Sequence, residues 1–302
     1  VGLSLAYFSF NKNLPFSLRS IFFPVLGRKI FGWRGDIIDV IAVVATLFGL
    51  ATSLGFGARQ IATGGNFLFG FDAGVGSQII IIVVITLIAT LSVVTGLKKG
   101  VKLLSRLNLI VAVIFLVFVF LLTDPVGVLN IFVESTGMYF QRFIELGSWS
   151  SSFTDNTWQG DWTIFYWAWW IAWSPFVGMF IARVSRGRTV REFVLGVLFV
   201  PTIITFIWMS TFGGSALLLE MDQPGLLSGP IMEDSSTSLF VFLKQFPLPA
   251  VTSFIGIFMV SVFFVTSSDS GSLVIDSITS GGKLNAPVGQ RILWAFMEGA
   301  VA

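Results

Sequence analysis

DWTIFYWAWWIAWSPFVGMF, Asp161 to Phe180, holds five of the chain's ten tryptophans within twelve residues: Trp162, Trp167, Trp169, Trp170 and Trp173. At 3.6 residues per turn, Tyr166, Trp169, Trp170 and Trp173 occupy i, i+3, i+4 and i+7 and share one helix face, with Trp162 and Trp167 pointing elsewhere. An interfacial aromatic belt accounts for Trp162 near a helix end but not for Trp173, more than two turns deeper. Beyond Asp161 the stretch carries no charge, so it offers π faces and little else. Such faces attract cations that cannot donate hydrogen bonds, quaternary ammonium groups above all. Aromatic packing between helices is the competing explanation, and spacing leaves both open. Ser174-Pro175 is expected to interrupt the helix and expose carbonyls beside a permeation path.

The surroundings of that stretch are a membrane chain. Of 302 residues, 55% are hydrophobic and 11% charged, and mean hydropathy is +0.89. A soluble domain carries roughly 25% charged residues. The chain has no cysteine and no histidine, which removes disulfides, thiolate nucleophiles, zinc sites built on Cys and His, and imidazole acid–base catalysis. No resident cofactor is expected. The net charge of +2 implies no nucleic-acid partner, because the basic residues are distributed topologically.

Apolar runs of about twenty residues recur, as bilayer-spanning helices require. A helix tail covers Val1 to about Phe10. Full spans follow at about Ile37–Gly57, Gln78–Leu97, Leu107–Thr123, Trp162–Arg183, Phe193–Leu219 and Ala250–Ser268, and a last helix starts near Val288. Both ends read as cuts through helices, so a fragment of a longer protein is expected. Fifteen of the 18 Lys and Arg lie on alternate connections, residues 11–36, 98–106, 183–192 and 281–291. The others hold only Arg59, Arg142 and Lys244, with acids that include Asp72, Asp155, Asp161 and Asp234. Cytoplasmic loops retain Lys and Arg, so the four basic connections are assigned to the cytoplasm of a multi-pass plasma (inner) membrane protein. Arg59 is expected to snorkel to the outer interface. Ser17–Trp33 and Val126–Leu146 read as interfacial segments in contact with membrane lipids.

Two spans carry polar insertions. Thr266, Ser267, Ser268, Asp269, Ser270 and Ser272 fall in seven consecutive positions, costly at membrane depth unless they face water, one another or an ion. Gly and Ser there are expected to unwind the helix and free carbonyls for a small hard cation. Thr46 and the run Ala51–Gly57 make a milder insertion, with small residues suited to close helix contact. Asp269 and Asp276 are the only acid pair on which an intramembrane aspartyl protease would rest.

FYWAWWIAWSPFVGMFIARVSRGRTVREF, Phe165 to Phe193, resembles the signature helix and following loop of the betaine/choline/carnitine transporters. ATLFGLATSLGFG (Ala45–Gly57), FFVTSSDSGSLVIDSITSGG (Phe263–Gly282) and the opening VGLSLAYFSF are also similar to that family. The resemblance implies an all-α, leucine-transporter-like fold of five-plus-five helices in inverted repeats. The chain would then run from about helix 4 to helix 11 of twelve, as a single transmembrane domain over 1–302. Residues 1–124 would contribute to the first repeat and 162–302 to the second. It implies substrate contacts at Tyr166, Trp169, Trp170 and Trp173, with Trp170 in a central aromatic box. Phe263, Thr266 and Ser267 match one sodium site, and Thr46 and Phe176 a second; Leu50 stands where that second site wants a hydroxyl. The implied activity is secondary-active, sodium-coupled uptake of glycine betaine or choline by alternating access. Proton-coupled choline carriage is the alternative within the family, and a homotrimer is the implied assembly.

Overall fold

In the computed structural model six helices among the described residues are long and apolar enough to cross a membrane: residues 33–69, 75–92, 102–122, 159–184, 190–222 and 249–279. The structure describes residues 1–95, 98–154, 157–283 and 287–302, among which there is no strand. The end of the Gln78–Leu97 span, Asp155 and the middle of the 281–291 connection lie outside the described residues. In chain order we label α1 (Gly2–Ala6), α2 (Trp33–Phe69), α3 (Val75–Thr95), α4 (Lys98–Leu122), α5 (Pro125–Gln141), α6 (Phe165–Val184), α7 (Val200–Asp222), α8 (Pro249–Thr279) and α9 (Val288–Val301). Short helical turns fill Leu18–Phe31 and follow α5 at Phe143–Ser148. The chain is an integral membrane protein.

The centre is an antiparallel pair, α2 against α8, and glycine sets its register. Gly57 lies against the Phe264 ring, Gly64 against Phe240 and Ile257, and Gly271 against Leu50. The α2–α8 pairs 50/271, 57/264 and 64/257 repeat every seven residues, one continuous seam. Lipid tails are as apolar as side chains, so close van der Waals approach over small residues replaces the hydrophobic effect as the adhesive. On one side of α2 packs α6; α3 and α9 pack on another. Leu47, Leu50, Phe176, Met179, Ile275 and Ile278 are among the buried side chains joining α2, α6 and α8.

Three expectations about helix ends and breaks need correction. Helix α2 does not stop near Gly57 but runs 37 residues to Phe69, about 55 Å against a hydrocarbon core near 30 Å. Its C-terminal end is held by the connection between α7 and α8: Arg59 pairs with Asp234 at 2.8 Å, and Thr63 shares a hydrogen bond with Ser236 at 2.7 Å. Arg59, expected to snorkel, is thus also held by an acidic partner. Helix α8 is continuous for 31 residues through Thr266–Ser272. Thr266 bonds to its own turn and Ser268 and Ser272 to Glu298 of α9, which leaves the ladder intact. Helix α6 is likewise continuous through Pro175. Proline leaves the carbonyl four residues back without a donor, and the Ser174 hydroxyl donates to that carbonyl, Ile171 O, at 2.8 Å. Pro201, in the first turn of α7, is accommodated differently. The turn Leu195–Phe199 ahead of Pro201 widens to π geometry, a usual way to absorb a break in the ladder.

At the opposite end of α2, Arg19 pairs with Asp36 at 2.8 Å and with the buried Asp39 at 2.6 Å. Burial alone would lower the Arg19 guanidinium's pKa, but bonds and charge from Asp39, then Asp36, outweigh it and raise it. A residue counted as topogenic thus also ties the Leu18–Phe31 turns to the helix.

Candidate functional site

The tryptophan stretch meets α2 through its indole N–H groups. Trp169 Nε1 donates to Ser53 Oγ at 3.0 Å. Trp173 Nε1 donates to Gly49 O at 2.8 Å and to Ser53 Oγ at 3.1 Å. A buried indole needs an acceptor, and here one serine supplies two. Gly49 makes the approach possible, since a side chain there would meet the Trp173 ring. With the N–H edges fixed, the rings align. Trp169 stacks with Phe56 at 5.8 Å and leans on Phe165 and Tyr166 at 5.7 and 5.9 Å. Trp173 meets Phe176 edge-on at 5.4 Å.

Trp169 and Trp173 thus lie along one contact with α2, and Tyr166 reaches it only through Trp169. Trp170 is turned away from it and is 72% exposed. Trp162, expected to point elsewhere, stacks on Tyr166 at 6.0 Å. The π turn Gln159–Ile164 that opens the helix precedes this pair.

Of the residues matched to sodium sites, two hydroxyls bond within their own helix. Thr266 donates its proton to Phe263 O at 3.0 Å, and Thr46 to Ala42 O at 2.8 Å. Both oxygens keep lone pairs free to meet a cation. The Phe263 side chain is 55% exposed, whereas Phe176 is buried. Ser267 faces a small cavity between α2, α8 and α9, whose volume of about 10 Å³ admits roughly one water. Ser53, Ser268 and Glu298 line the same cavity, with Leu50 and Phe264 as apolar walls.

Glu298 is the residue that sequence reasoning missed. It is 1% exposed and accepts the hydroxyl protons of Ser268 at 2.8 Å and Ser272 at 3.1 Å. The available signal was a lone acid in the apolar run LWAFMEGAVA. Asp269, by contrast, takes a bond from Ser92 of α3 at 3.1 Å, and Asp276 pairs with Arg291 at 3.1 Å. On a straight helix these two carboxylates are about 10 Å apart along the axis. Each has its own partner, so they form no catalytic dyad. No group of three or more His, Cys, Asp and Glu poised for a metal occurs among the described residues.

The family model described as "BCCT, betaine/carnitine/choline family transporter" matches residues 1–302. A glycine betaine/proline/choline/ectoine transporter of Vibrio parahaemolyticus is 51% identical over 302 residues, 100% of this chain and 53% of the relative. Glycine betaine transporter 1 of the same organism is 53% identical over 305 residues, covering 100% and 57%. A glycine betaine transporter of Acinetobacter baylyi is 45% identical over 303 residues, covering 100% and 46%. The chain spans about half the length of the curated relatives it matches.

Proposed function

The chain belongs to the betaine/carnitine/choline transporter family, and from that premise we propose that it forms the central part of a secondary-active carrier for a quaternary ammonium solute, glycine betaine or choline, driven by sodium. The observation that carries the substrate class is the anchored aromatic face of α6. Indole edges tied to Ser53 and Gly49 leave ring faces, not N–H groups, for the ligand. A trimethylammonium group donates no hydrogen bond and is held by such faces, each contact worth up to about 2 kcal/mol when desolvated. Trp170, the most exposed of the four proposed contacts, completes the box against aromatics of the whole protein. Thr266 and Ser267, with the Phe263 backbone, take one sodium ion; Thr46 and Phe176 flank a weaker second site that Leu50 leaves short of a hydroxyl.

The same proposal includes the leucine-transporter-like architecture, with 1–124 and 162–302 as parts of inverted repeats. The antiparallel α2/α8 seam supports it, since equivalent helices of inverted repeats run in opposite directions across the membrane. Alternating access then moves one group of helices against another around the site, with α6 kept whole by Ser174. The connections 11–36, 98–106, 183–192 and 281–291 face the cytoplasm in this arrangement, and three copies assemble.

Uptake of labelled glycine betaine and choline by the full-length protein, in sodium and in potassium buffer, tests the proposal. Wild type accumulates solute in sodium only, and Trp170→Leu loses at least about tenfold in uptake, the equivalent of some 1.4 kcal/mol. Accumulation that follows a proton gradient and ignores sodium would replace the coupling ion. No accumulation of either solute at normal expression would remove the substrate class.

A further inference from the structure

Phe48, Thr52, Phe56 and Arg59 follow one another at i, i+4, i+8 and i+11, a single stripe along α2. The seam with α8 uses a different stripe, through Leu50, Gly57 and Gly64, and both phenylalanines of the first stripe are half exposed or more. With Gln78 of α3 and the end of α9, this stripe lines an open pocket of about 400 Å³. Small-molecule sites occupy roughly 300–1,000 Å³. Arg59 is the one charged side chain in the wall, and no Asp or Glu is part of it. Trp170 does not line it either.

The donors of this pocket have capacity left. A guanidinium carries five N–H groups, and among the described residues Arg59 uses one nitrogen, Nη2, on Asp234 at 2.8 Å. That single bond suffices for the ion pair and leaves the rest of the fork. Gln78 donates through Nε2 to Ala73 O at 3.0 Å, so the second proton of that amide is also free to donate. Thr52 spends its proton on Phe48 O at 2.8 Å. A planar fork beside an amide N–H is an arrangement that takes a carboxylate through two parallel bonds.

A ring lies within one helical turn of that fork. Phe56 and Arg59 are i and i+3, neighbours on the helix surface about 4.5 Å apart along the axis. One face of Phe56 stacks on Trp169 at 5.8 Å, and half of the residue remains exposed. Glycine betaine carries its ammonium and its carboxylate one carbon apart, so one molecule can meet the ring and the guanidinium together. Choline has a neutral hydroxyl in place of the carboxylate. It gains no charge-assisted bond from Arg59, and its own positive charge stands uncompensated beside the guanidinium.

We propose that this pocket is a second subsite, selective for a zwitterionic solute, with Arg59 and Gln78 on the carboxylate and Phe56 on the trimethylammonium group. Arg59 is then the residue that sets a preference for glycine betaine over choline. The assignment rests on the quaternary ammonium reading above and adds recognition of the other end of the molecule. Through the Phe56–Trp169 stack the subsite adjoins the aromatic face of α6.

The test is equilibrium binding of labelled glycine betaine and labelled choline to purified full-length protein in sodium buffer. Wild type is compared with Trp170→Leu, which removes the central contact so that the remaining binding reports this pocket. Trp170→Leu should still bind glycine betaine, and more tightly than choline. Adding Arg59→Gln should lower its glycine betaine affinity at least about tenfold and change choline by less than about twofold. Arg59→Lys keeps the charge and loses the fork, so a selective loss of about threefold is expected, and it carries the test if Arg59→Gln does not fold. Asp234→Asn removes the ion pair and keeps the guanidinium, and should leave the discrimination in place. An Arg59 variant that weakens both solutes alike, or neither, overturns the site. So does a selective loss of the same size in Asp234→Asn, which would make the ion pair its cause. Binding by wild type with none left in Trp170→Leu overturns this site alone and leaves the substrate class standing. No binding of either solute by wild type overturns the substrate class, and this site with it.

Discussion

Ser174 and Pro175 work as a unit, and the pair shows how much one hydroxyl alters a helix. Pro175 strips Ile171 O of its donor, and Ser174 replaces that donor from the same turn. Ser174→Ala should then cost about 1 kcal/mol, the usual net worth of such a bond plus an orphaned carbonyl. In a Pro175→Ala background the carbonyl regains its backbone donor, and the cost should nearly vanish. A double-mutant cycle on thermal unfolding of the full-length protein measures this coupling; additive effects would contradict it. The residue scale is also where the sequence is hardest to read. A Ser-Pro step predicts a break, because the serine's rotamer is settled only once the helix is packed. Glu298 reads like any acid near a chain end until α8 brings Ser268 and Ser272 against it. The aromatic repeat, in contrast, is legible, since helical period alone brings Tyr166, Trp169 and Trp173 along one face. Trp170 departs from that face because i+4 lies on its edge, and α2 engages only the other side.

At the scale of elements, the α2/α8 seam depends on glycines that leave no room for a side chain. Gly57→Ala would drive a methyl into the Phe264 ring and should lose about 1–3 kcal/mol, the usual penalty for overpacking. Gly213, inside α7, has open space where a side chain would go, so Gly213→Ala should be neutral or gain up to about 1 kcal/mol from helix propensity. Thermal midpoints of the two variants should therefore move in opposite directions or only the first should fall. The C-terminal end of α2 carries a pH-dependent clamp. Partial burial pushes the Asp234 carboxyl up, but the backbone N–H and hydroxyl of Ser236 and the Arg59 guanidinium outweigh it and hold the pKa below its ordinary value. A carboxyl lowered by folding stabilises the protein above its unfolded pKa, near about 4, and loses that contribution as pH falls through the folded value. Amide exchange over Thr63–Phe69 should accelerate below that range in wild type. Corrected for the intrinsic pH dependence of exchange, protection in Asp234→Asn should be low throughout and independent of pH there. The six spans themselves are legible from hydropathy, whereas the 37-residue length of α2 is not. Its last turns are stabilised by Asp234 and Ser236, more than 170 residues away in sequence.

For the whole molecule, the account joins an aromatic face on α6, a polar seam between α2, α8 and α9, and one serine common to both. Ser53 accepts from the indoles of Trp169 and Trp173 and also lines the cavity beside Glu298. The central claim is that ring faces select a quaternary cation. Binding of glycine betaine to the purified full-length protein in sodium should therefore be compared with binding of its carbon isostere, in which a neutral tert-butyl group replaces trimethylammonium. Shape is the same and the cation–π attraction is gone, so a loss of about 2 kcal/mol or more is predicted, some thirtyfold in affinity. Equal affinity for the two compounds would contradict the account.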